Sequence, residues 1–138
     1  MTRLLGIDPG AVRCGIAITD SAASMAFPRA TLVNDETLTD ELRRLIEEEG
    51  VGSLVVGRPV ALSGNETAST KQADALYHQL VEAFSDLAVT QWDERLTTVE
   101  AQRSLSRAGL KARQHREHVD SAAAVIMLQN YVDGHHVA

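Results

Sequence analysis

Three short apolar runs, separated by turns, open the chain and constrain its topology more than any other feature. The runs are residues 4–8, 14–19 and 30–33. Because so little chain separates the strands that they predict, we expect those strands to pair as an antiparallel meander. The segments that follow alternate between helix and strand patterns, which predicts parallel strands joined by crossover helices.

Apolar spacing and capping signals define the later elements. The predicted helices span residues 37–49, 66–84, 97–108 and 118–132, the predicted strands span residues 53–57 and 87–92, and residues 58–65 form a predicted loop. In the first helix, for example, Leu38, Leu42 and Ile46 share one face. The order βββ-α-β-α-β-α-α predicts an α/β fold, with a mixed five-stranded sheet and helices on both faces.

The whole chain, residues 1–138, is expected to fold as one domain, since its length and its 44% hydrophobic content suffice for a buried core. Its apolar segments are shorter than the roughly 20 residues of a membrane span. Met1 leads straight into a strand pattern, without the apolar core of a secretion signal. The lone Cys14 predicts a small buried side chain, with a disulfide to another chain as the lesser alternative. We therefore expect a cytoplasmic protein with no membrane partner.

Charge is unevenly distributed along the chain, whose net charge is -6. An acidic chain argues against a general nucleic-acid coat protein, which is normally basic. One strip nevertheless concentrates basic residues, namely Arg103, Arg107, Lys111, Arg113 and Arg116. Such a strip can bind phosphate groups, and a solvated helix face explains the same pattern equally well.

Three acidic residues stand where predicted elements end or begin. Asp8 closes the first strand, Glu94 follows the strand at residues 87–92, and Asp120 lies in the first turn of an alanine-rich helix. Ligands gather at the carboxyl ends of parallel strands, so Asp8 and Glu94 are expected to meet at one edge. Clustered carboxylates would suit Mg²⁺ or Mn²⁺. For each acid taken alone, ordinary turn or helix capping is the alternative.

The acid at the end of the strand at residues 87–92 could be either of two neighbours, Asp93 or Glu94. Alternation sends Asp93 and Glu94 to opposite faces, so one of them is expected to reach a metal directly. We favour Glu94, because its longer side chain can bridge to a second ion. A site with Asp8 between two ions, and with Glu94 and Asp120 on either side, would suit phosphodiester hydrolysis. The next residue, Arg95, either neutralises phosphate charge or pairs with Asp93.

Several motifs together point to a known family. They are Gly6-Ile7-Asp8-x-Gly10-x-x-Arg13-x-Gly15, Val55-Val56-Gly57-x-Pro59, Gly64 with Glu66, Asp93-Glu94-Arg95-x-Thr97-Thr98-x-Glu100-Ala101, Asp120-x-Ala122-Ala123 and Leu128-Gln129-x-Tyr131. Through them nearly the whole chain resembles the YqgF/RuvX family, the candidate pre-16S rRNA nuclease or Holliday-junction resolvase group of RNase H-like proteins. The resemblance implies an RNase H-like fold in which Asp8, Glu94 and Asp120 match the family's acidic residues. Arg58 departs from the family's apolar residue, often Leu, and residues 60–62 depart from its usual polar loop.

The resemblance also implies a function and its partners. It implies a nuclease dependent on Mg²⁺ or Mn²⁺ that processes the 5′ end of pre-16S rRNA in ribosome biogenesis. The alternatives are a dimeric Holliday-junction or DNA-repair nuclease, a noncatalytic nucleic-acid-binding factor, and a small actin-like ATP-binding module. The expected partner is pre-rRNA or branched DNA, and junction cleavage would also require a homodimer. The residues expected to contact nucleic acid are Arg13, Arg58, Lys71, Arg95, Arg103, Arg107, Lys111, Arg113 and Arg116, although Arg13 could equally pair with an acid on its own hairpin.

Overall fold

Residues 2–61, 63–94 and 121–135 are described by the computed structural model of the chain. They form the strands β1 (Arg3–Asp8), β2 (Arg13–Thr19), β3 (Ala26–Val33), β4 (Val51–Arg58) and β5 (Ala88–Asp93), and the helices α1 (Leu38–Glu49), α2 (Ala68–Ala83) and α3 (Ala122–His135). Within this part of the chain, no helix is both long enough and apolar enough to cross a membrane.

The strands form one mixed sheet in the order β3-β2-β1-β4-β5. β2 pairs antiparallel with both β1 and β3, which is the predicted meander. β4 enters on the other side of β1 and pairs parallel with both β1 and β5. The predicted five-stranded mixed sheet is therefore confirmed, and its three adjacent parallel strands, β1, β4 and β5, point their carboxyl ends to the same edge.

Side-chain alternation divides the apolar residues of the sheet between two cores. Leu5 and Ile7 of β1 are fully buried in the core that α1 and α2 cover. Ala17 and Val55 face the opposite way, into the core formed with α3. The helices therefore cover both faces, as predicted, and this explains the continuous apolar runs of the central strands.

α3 lies close to β1 because Gly6 has no side chain. A Cβ atom at Gly6 would lie 3.0 Å from the Cβ atom of Leu128. The helix backbone fixes that Leu128 atom, so the overlap could be relieved only by moving α3 away from the sheet. Small residues on the helix assist the approach, and Ala124 is fully buried against the sheet.

Several predicted boundaries were wrong. β3 begins at Ala26 rather than at residue 30, because Pro28 is tolerated in a strand that lies at the edge of the sheet. Arg58, which was predicted to open a loop, is the last residue of β4. α2 begins at Ala68, where the Thr67 hydroxyl accepts a hydrogen bond from the Thr70 backbone N–H and caps the helix. The predicted helix at residues 97–108 and the start of the last predicted helix lie outside the described residues.

The close approach of α3 to β1 predicts the effect of a single methyl group. Gly6→Ala should lower the free energy of unfolding by about 1–3 kcal/mol, because the added Cβ overpacks the contact with Leu128. Urea unfolding followed by circular dichroism measures this change. The control is Gly134→Ala in α3, where the new Cβ would lie 3.6 Å from the ring of Trp92, an ordinary contact. That variant should gain up to about 1 kcal/mol from helix propensity, and equal effects of both changes would contradict the packing argument.

Candidate active site

The carboxyl ends of β1, β4 and β5 lie side by side and bring two of the predicted acids together. Ile7 is in register with Val56, and Gly57 is in register with Trp92. The residues that follow Ile7 and Asp93, namely Asp8 and Glu94, therefore reach the same edge of the sheet. There the carboxyl groups of Asp8 and Glu94 are joined by a hydrogen bond.

Gly57 provides the space in which the two carboxyl groups meet. A Cβ atom at Gly57 would lie 2.6 Å from Oε1 of Glu94 and 3.1 Å from its Cδ. The Glu94 side chain therefore lies over the backbone of β4, which separates β5 from β1. Any side chain at position 57 would displace the carboxyl group from its place beside Asp8. The sequence marks Gly57 as the end of a strand, but the role of its missing side chain becomes visible only in the structure.

The electrostatics of the pair favour a proton or a cation between the two groups. Burial raises the pKa of Glu94 to about 9, together with its hydrogen bond to Asp8 and the repulsion from the charges of Asp8 and Asp93. At neutral pH, Glu94 therefore retains a proton. A cation could replace that proton and balance both carboxylates.

The oxygen donors of the pair fit a hard divalent cation such as Mg²⁺ or Mn²⁺. Asp8 and Glu94 are the two predicted ligands that the structure brings into contact. Residues 2–61, 63–94 and 121–135 contain no cluster of three or more metal-ligating side chains. The third predicted ligand, Asp120, lies outside those residues, so its place in the site stays a prediction.

Between the two adjacent acids, it is Glu94 whose carboxyl group meets that of Asp8. Asp93 is the last residue of β5 and is in register with Arg58. It acts on Glu94 through its charge, which helps to raise the pKa of Glu94. The geometry therefore agrees with the choice of Glu94 as the residue that approaches Asp8.

Arg58, a predicted nucleic-acid contact, is held by carboxylates of the protein itself. Its Nε donates to Oδ1 of Asp74 at 2.9 Å, and its guanidinium also donates to Glu66 at 2.8 Å. The hydrogen bond between Arg58 and Asp74 raises the pKa of the arginine and lowers the pKa of the carboxyl group. Gln91 of β5 donates to the same Asp74 oxygen at 2.8 Å. Arg58 thus ties the end of β4 to α2, and its role as a phosphate contact stays a prediction.

The other predicted cations divide into two groups. Arg13 and Lys71 are exposed, and neither has an ion-pair partner among the described parts of the chain. Arg13 opens β2 beside the site, because Gly15 is the register partner of Asp8. The remaining predicted contacts lie outside the described residues: Arg95, Arg103, Arg107, Lys111, Arg113 and Arg116.

Two residues near the site serve packing or anchoring. Cys14 is fully buried, as predicted, and burial raises the pKa of its thiol, which keeps it unreactive. Ser121 is also fully buried, although the sequence analysis did not single it out. Its hydroxyl accepts a hydrogen bond from the Ile16 backbone N–H and donates one to the backbone oxygen of Arg29. Both partners are distant in the sequence, so no local pattern reveals these bonds.

The sheet consists of an antiparallel meander to which two parallel strands are added, with acids at the carboxyl ends of β1 and β5. This arrangement defines an RNase H-like fold. Solved structures agree with this class. RuvC of Thermus thermophilus in complex with a Holliday junction substrate matches with a TM-score of 0.61, over 98% of this chain and 96% of that chain, at 10% sequence identity. The fowlpox virus Holliday junction resolvase matches with a TM-score of 0.52, over 96% of this chain and 99% of that chain, at 12% identity. At such identities the likeness shows the fold alone.

Sequence comparison then gives the family. The profile of RuvX, described as Holliday junction resolvase, matches residues 2–134, and the chain belongs to this family. A protein of Mycolicibacterium paratuberculosis is 42% identical over 134 residues, which cover 95% of this chain and 80% of that protein. One of Thermoanaerobacter pseudethanolicus is 36% identical, over 95% of this chain and 96% of its own length. Both are named as candidate pre-16S rRNA nucleases. The predicted family is confirmed, and the chain is a nucleic-acid-hydrolysing enzyme.

The raised pKa of Glu94 predicts how stability depends on pH in the metal-free protein. Between about 4.5 and about 9 the folded chain binds more protons at Glu94 than the unfolded chain does, so stability falls as pH rises through this range. Glu94→Gln removes this contribution. Urea unfolding is measured in a metal chelator at pH 5, 7 and 9. As pH rises, the free energy of unfolding should fall less for Glu94→Gln than for the wild type. If the free energy of unfolding depended on pH equally in the two proteins, the raised pKa of Glu94 would be contradicted.

The space at Gly57 predicts a loss of function with little loss of fold. Gly57→Ala should lower nuclease activity by at least about tenfold, because the new Cβ displaces the Glu94 carboxyl group from Asp8. The matched control is Gly52→Ala at the other end of β4, where a Cβ would crowd Oγ1 of Thr2. Activity and melting temperature are measured for both variants. If Gly57→Ala and Gly52→Ala had equal nuclease activities, Gly57 would have no special role at the site.

Proposed function

We propose that the chain is a cytoplasmic nuclease dependent on divalent metal ions that processes the 5′ end of pre-16S rRNA. The observation that carries this proposal is the hydrogen-bonded pair of Asp8 and Glu94 at the carboxyl ends of β1 and β5. A partly buried acidic pair of this kind needs a positive charge before it can accept the phosphate of a nucleic acid. The names of the relatives from Mycolicibacterium and Thermoanaerobacter support the choice of RNA substrate.

The residues assigned to a two-ion site are Asp8, Glu94 and Asp120. When bound, Mg²⁺ or Mn²⁺ would supply an activated water and stabilise the leaving 3′ oxygen. Asp8 contributes acceptor oxygens from a rigid strand end, which fixes their position better than a loop would. Glu94 must give up its proton to act as a ligand, and Gly57 leaves room for its carboxyl group beside Asp8.

Exposed cations are assigned to guide the sugar-phosphate backbone toward the acids. Arg13 opens β2, two residues before Gly15, the register partner of Asp8. Lys71 lies in the first turn of α2, the helix that follows the site end of β4. Arg95 and the strip from Arg103 to Arg116 are assigned to the same role. Because these contacts would be to phosphates, they position the strand and carry no direct sequence information.

Cleavage of Holliday junctions is the second candidate function. The description of the RuvX family as a Holliday junction resolvase favours it. Symmetric cleavage of a junction would require two active sites on opposed strands and therefore a homodimer. Processing of pre-rRNA makes no such demand, so the substrate and the oligomeric state can be tested together.

A variant of Asp8 tests the nuclease and a panel of substrates tests its target. Asp8→Asn should lower cleavage by about 1,000-fold or more, since it removes a ligand charge that is worth several kcal/mol in the transition state. The panel holds RNA with the precursor 5′ end, duplex DNA and a four-way junction, each with Mg²⁺ or Mn²⁺. Cleavage rates are measured by gel electrophoresis of end-labelled strands. We expect the wild type to cleave the precursor RNA.

The control for this experiment is Asp40→Asn, which makes the same change in charge at an exposed position on α1. It should cleave like the wild type. Full activity of Asp8→Asn would refute the assigned site. Cleavage of the junction alone would support the resolvase function, and a wild type that binds but cleaves nothing would support a noncatalytic factor.

A further inference from the structure

The end of β5 that leads to Glu94 has one neighbouring strand. β5 is the last strand in the order of the sheet, so among the described strands it pairs with β4 alone. Strand ends at the edge of a sheet open more readily than its centre, because fewer contacts hold them. The Glu94 carboxyl group nevertheless occupies a defined place, over Gly57 and beside Asp8. Contacts on the two faces of the sheet can supply the missing restraint.

Side chains hold this strand end from both faces. On one face, the ring of Trp92 packs edge-on against the ring of Tyr131 in α3, with the ring centroids 5.2 Å apart. On the other face, Gln91 is the register partner of Val56, which is fully buried in the core that α1 and α2 cover. The Gln91 side chain reaches α2 there, and its Nε2 donates to Oδ1 of Asp74 at 2.8 Å.

The same Asp74 carboxylate also holds the end of β4. Nε of Arg58 donates to Oδ1 at 2.9 Å, and Nη2 of Arg58 donates to Oδ2 at 3.2 Å. A two-point contact between a guanidinium and a carboxylate fixes orientation as well as distance. The hydrogen bonds from Arg58 and Gln91 lower the pKa of Asp74, so the carboxylate is charged at neutral pH. One side chain of α2 thus connects the ends of β4 and β5.

These contacts lie next to the acidic pair along both strands. Arg58 directly follows Gly57, whose missing side chain leaves room for the Glu94 carboxyl group. Gln91 lies in β5, three residues before Glu94. If β5 shifted along β4 or away from it, the Glu94 carboxyl group would move relative to Gly57. The contacts through Asp74 oppose both movements.

We infer that Asp74 and Gln91 are positioning residues, which hold the end of β5 against β4 so that the Glu94 carboxyl group stays over Gly57 and beside Asp8. They act through the backbone of β5. The inference rests on the proposed function in one respect, the assignment of Glu94 as a metal ligand. Removing a group that orients a metal ligand commonly lowers metal affinity by about 10- to 100-fold. Because Gln91 holds the strand rather than the ligand itself, we expect the lower end of that range.

One substitution breaks the contact with β5 without changing the charge of the protein. Gln91→Met keeps a side chain of similar length but has no N–H donor. The matched control is Gln79→Met, the same change in the same helix that carries Asp74. Nε2 of Gln79 donates to Oγ1 of Thr39 at 3.1 Å, so this control loses a hydrogen bond that links α2 to α1. Asp74→Ala provides a second variant, in which the partner of Gln91 is removed.

The first measurement is Mn²⁺ binding by the full chain, followed by electron paramagnetic resonance. We expect Gln91→Met to raise the Kd for Mn²⁺ about tenfold and Gln79→Met to leave it unchanged. In a chain that already carries Asp74→Ala, Gln91→Met should cause no further rise, because its hydrogen-bond partner is gone. Three outcomes would overturn the positioning role: an unchanged Kd in Gln91→Met, an equal rise in Gln79→Met, or a further tenfold rise in the Asp74→Ala chain.

The second measurement needs no metal. Backbone amide hydrogen exchange of the metal-free protein, measured by nuclear magnetic resonance, reports local opening of a strand. Gln91→Met should exchange faster than the wild type at residues 91–93, with no change in β1. Faster exchange throughout the protein would indicate a general loss of stability and would count against the positioning role, as would unchanged exchange at residues 91–93.

The two measurements separate this inference from the proposed function. A wild type that binds no Mn²⁺ would refute the assigned metal site, whereas faster exchange at residues 91–93 in Gln91→Met would still support the hold on β5. Conversely, a wild type that binds Mn²⁺ and cleaves RNA, together with an unchanged Kd in Gln91→Met, would refute the positioning role and leave the proposed function standing.

Discussion

The parallel pairing of β4 with both β1 and β5 is the constraint on which the rest of the structure depends. It brings the ends of β1 and β5 to one edge, with only the backbone of β4 between them. Asp8 and Glu94 then meet in a partly buried space, where two negative charges cannot coexist without a proton or a cation. The apolar cores on both faces of the sheet stabilise the strands that hold this unfavourable pair in place.

Two adjacent residues at the end of β4 serve the two faces of the sheet. Gly57 leaves room on one face for the Glu94 carboxyl group. On the other face, Arg58 is bound to Asp74 and ties the strand to α2. Alternation along a strand allows this division, because neighbouring residues point in opposite directions. Gly6 has a related role on β1, where its missing side chain lets α3 approach the sheet that carries the acids.

Much of this arrangement could be predicted from local patterns, and the rest depends on contacts between distant segments. Strand ends and alternation were enough to pair Asp8 with Glu94. The start of β3 at Ala26 could not be predicted, because Pro28 is tolerated there only since the strand lies at the edge of the sheet, which the sequence does not show. The bonds of Ser121 join residues that are 105 and 92 positions apart, so no local pattern reveals them. The roles of Asp120 and of the basic strip that ends at Arg116 stay predictions.

The most direct measurement of the central claim is a crystal structure of the protein soaked in Mn²⁺, with anomalous data collected at the manganese absorption edge. If Asp8 and Glu94 hold the metal, the anomalous map will show a peak within about 2.0–2.4 Å of a carboxylate oxygen of each residue. A map without a peak between these two side chains, at a Mn²⁺ concentration that supports cleavage, would contradict the account.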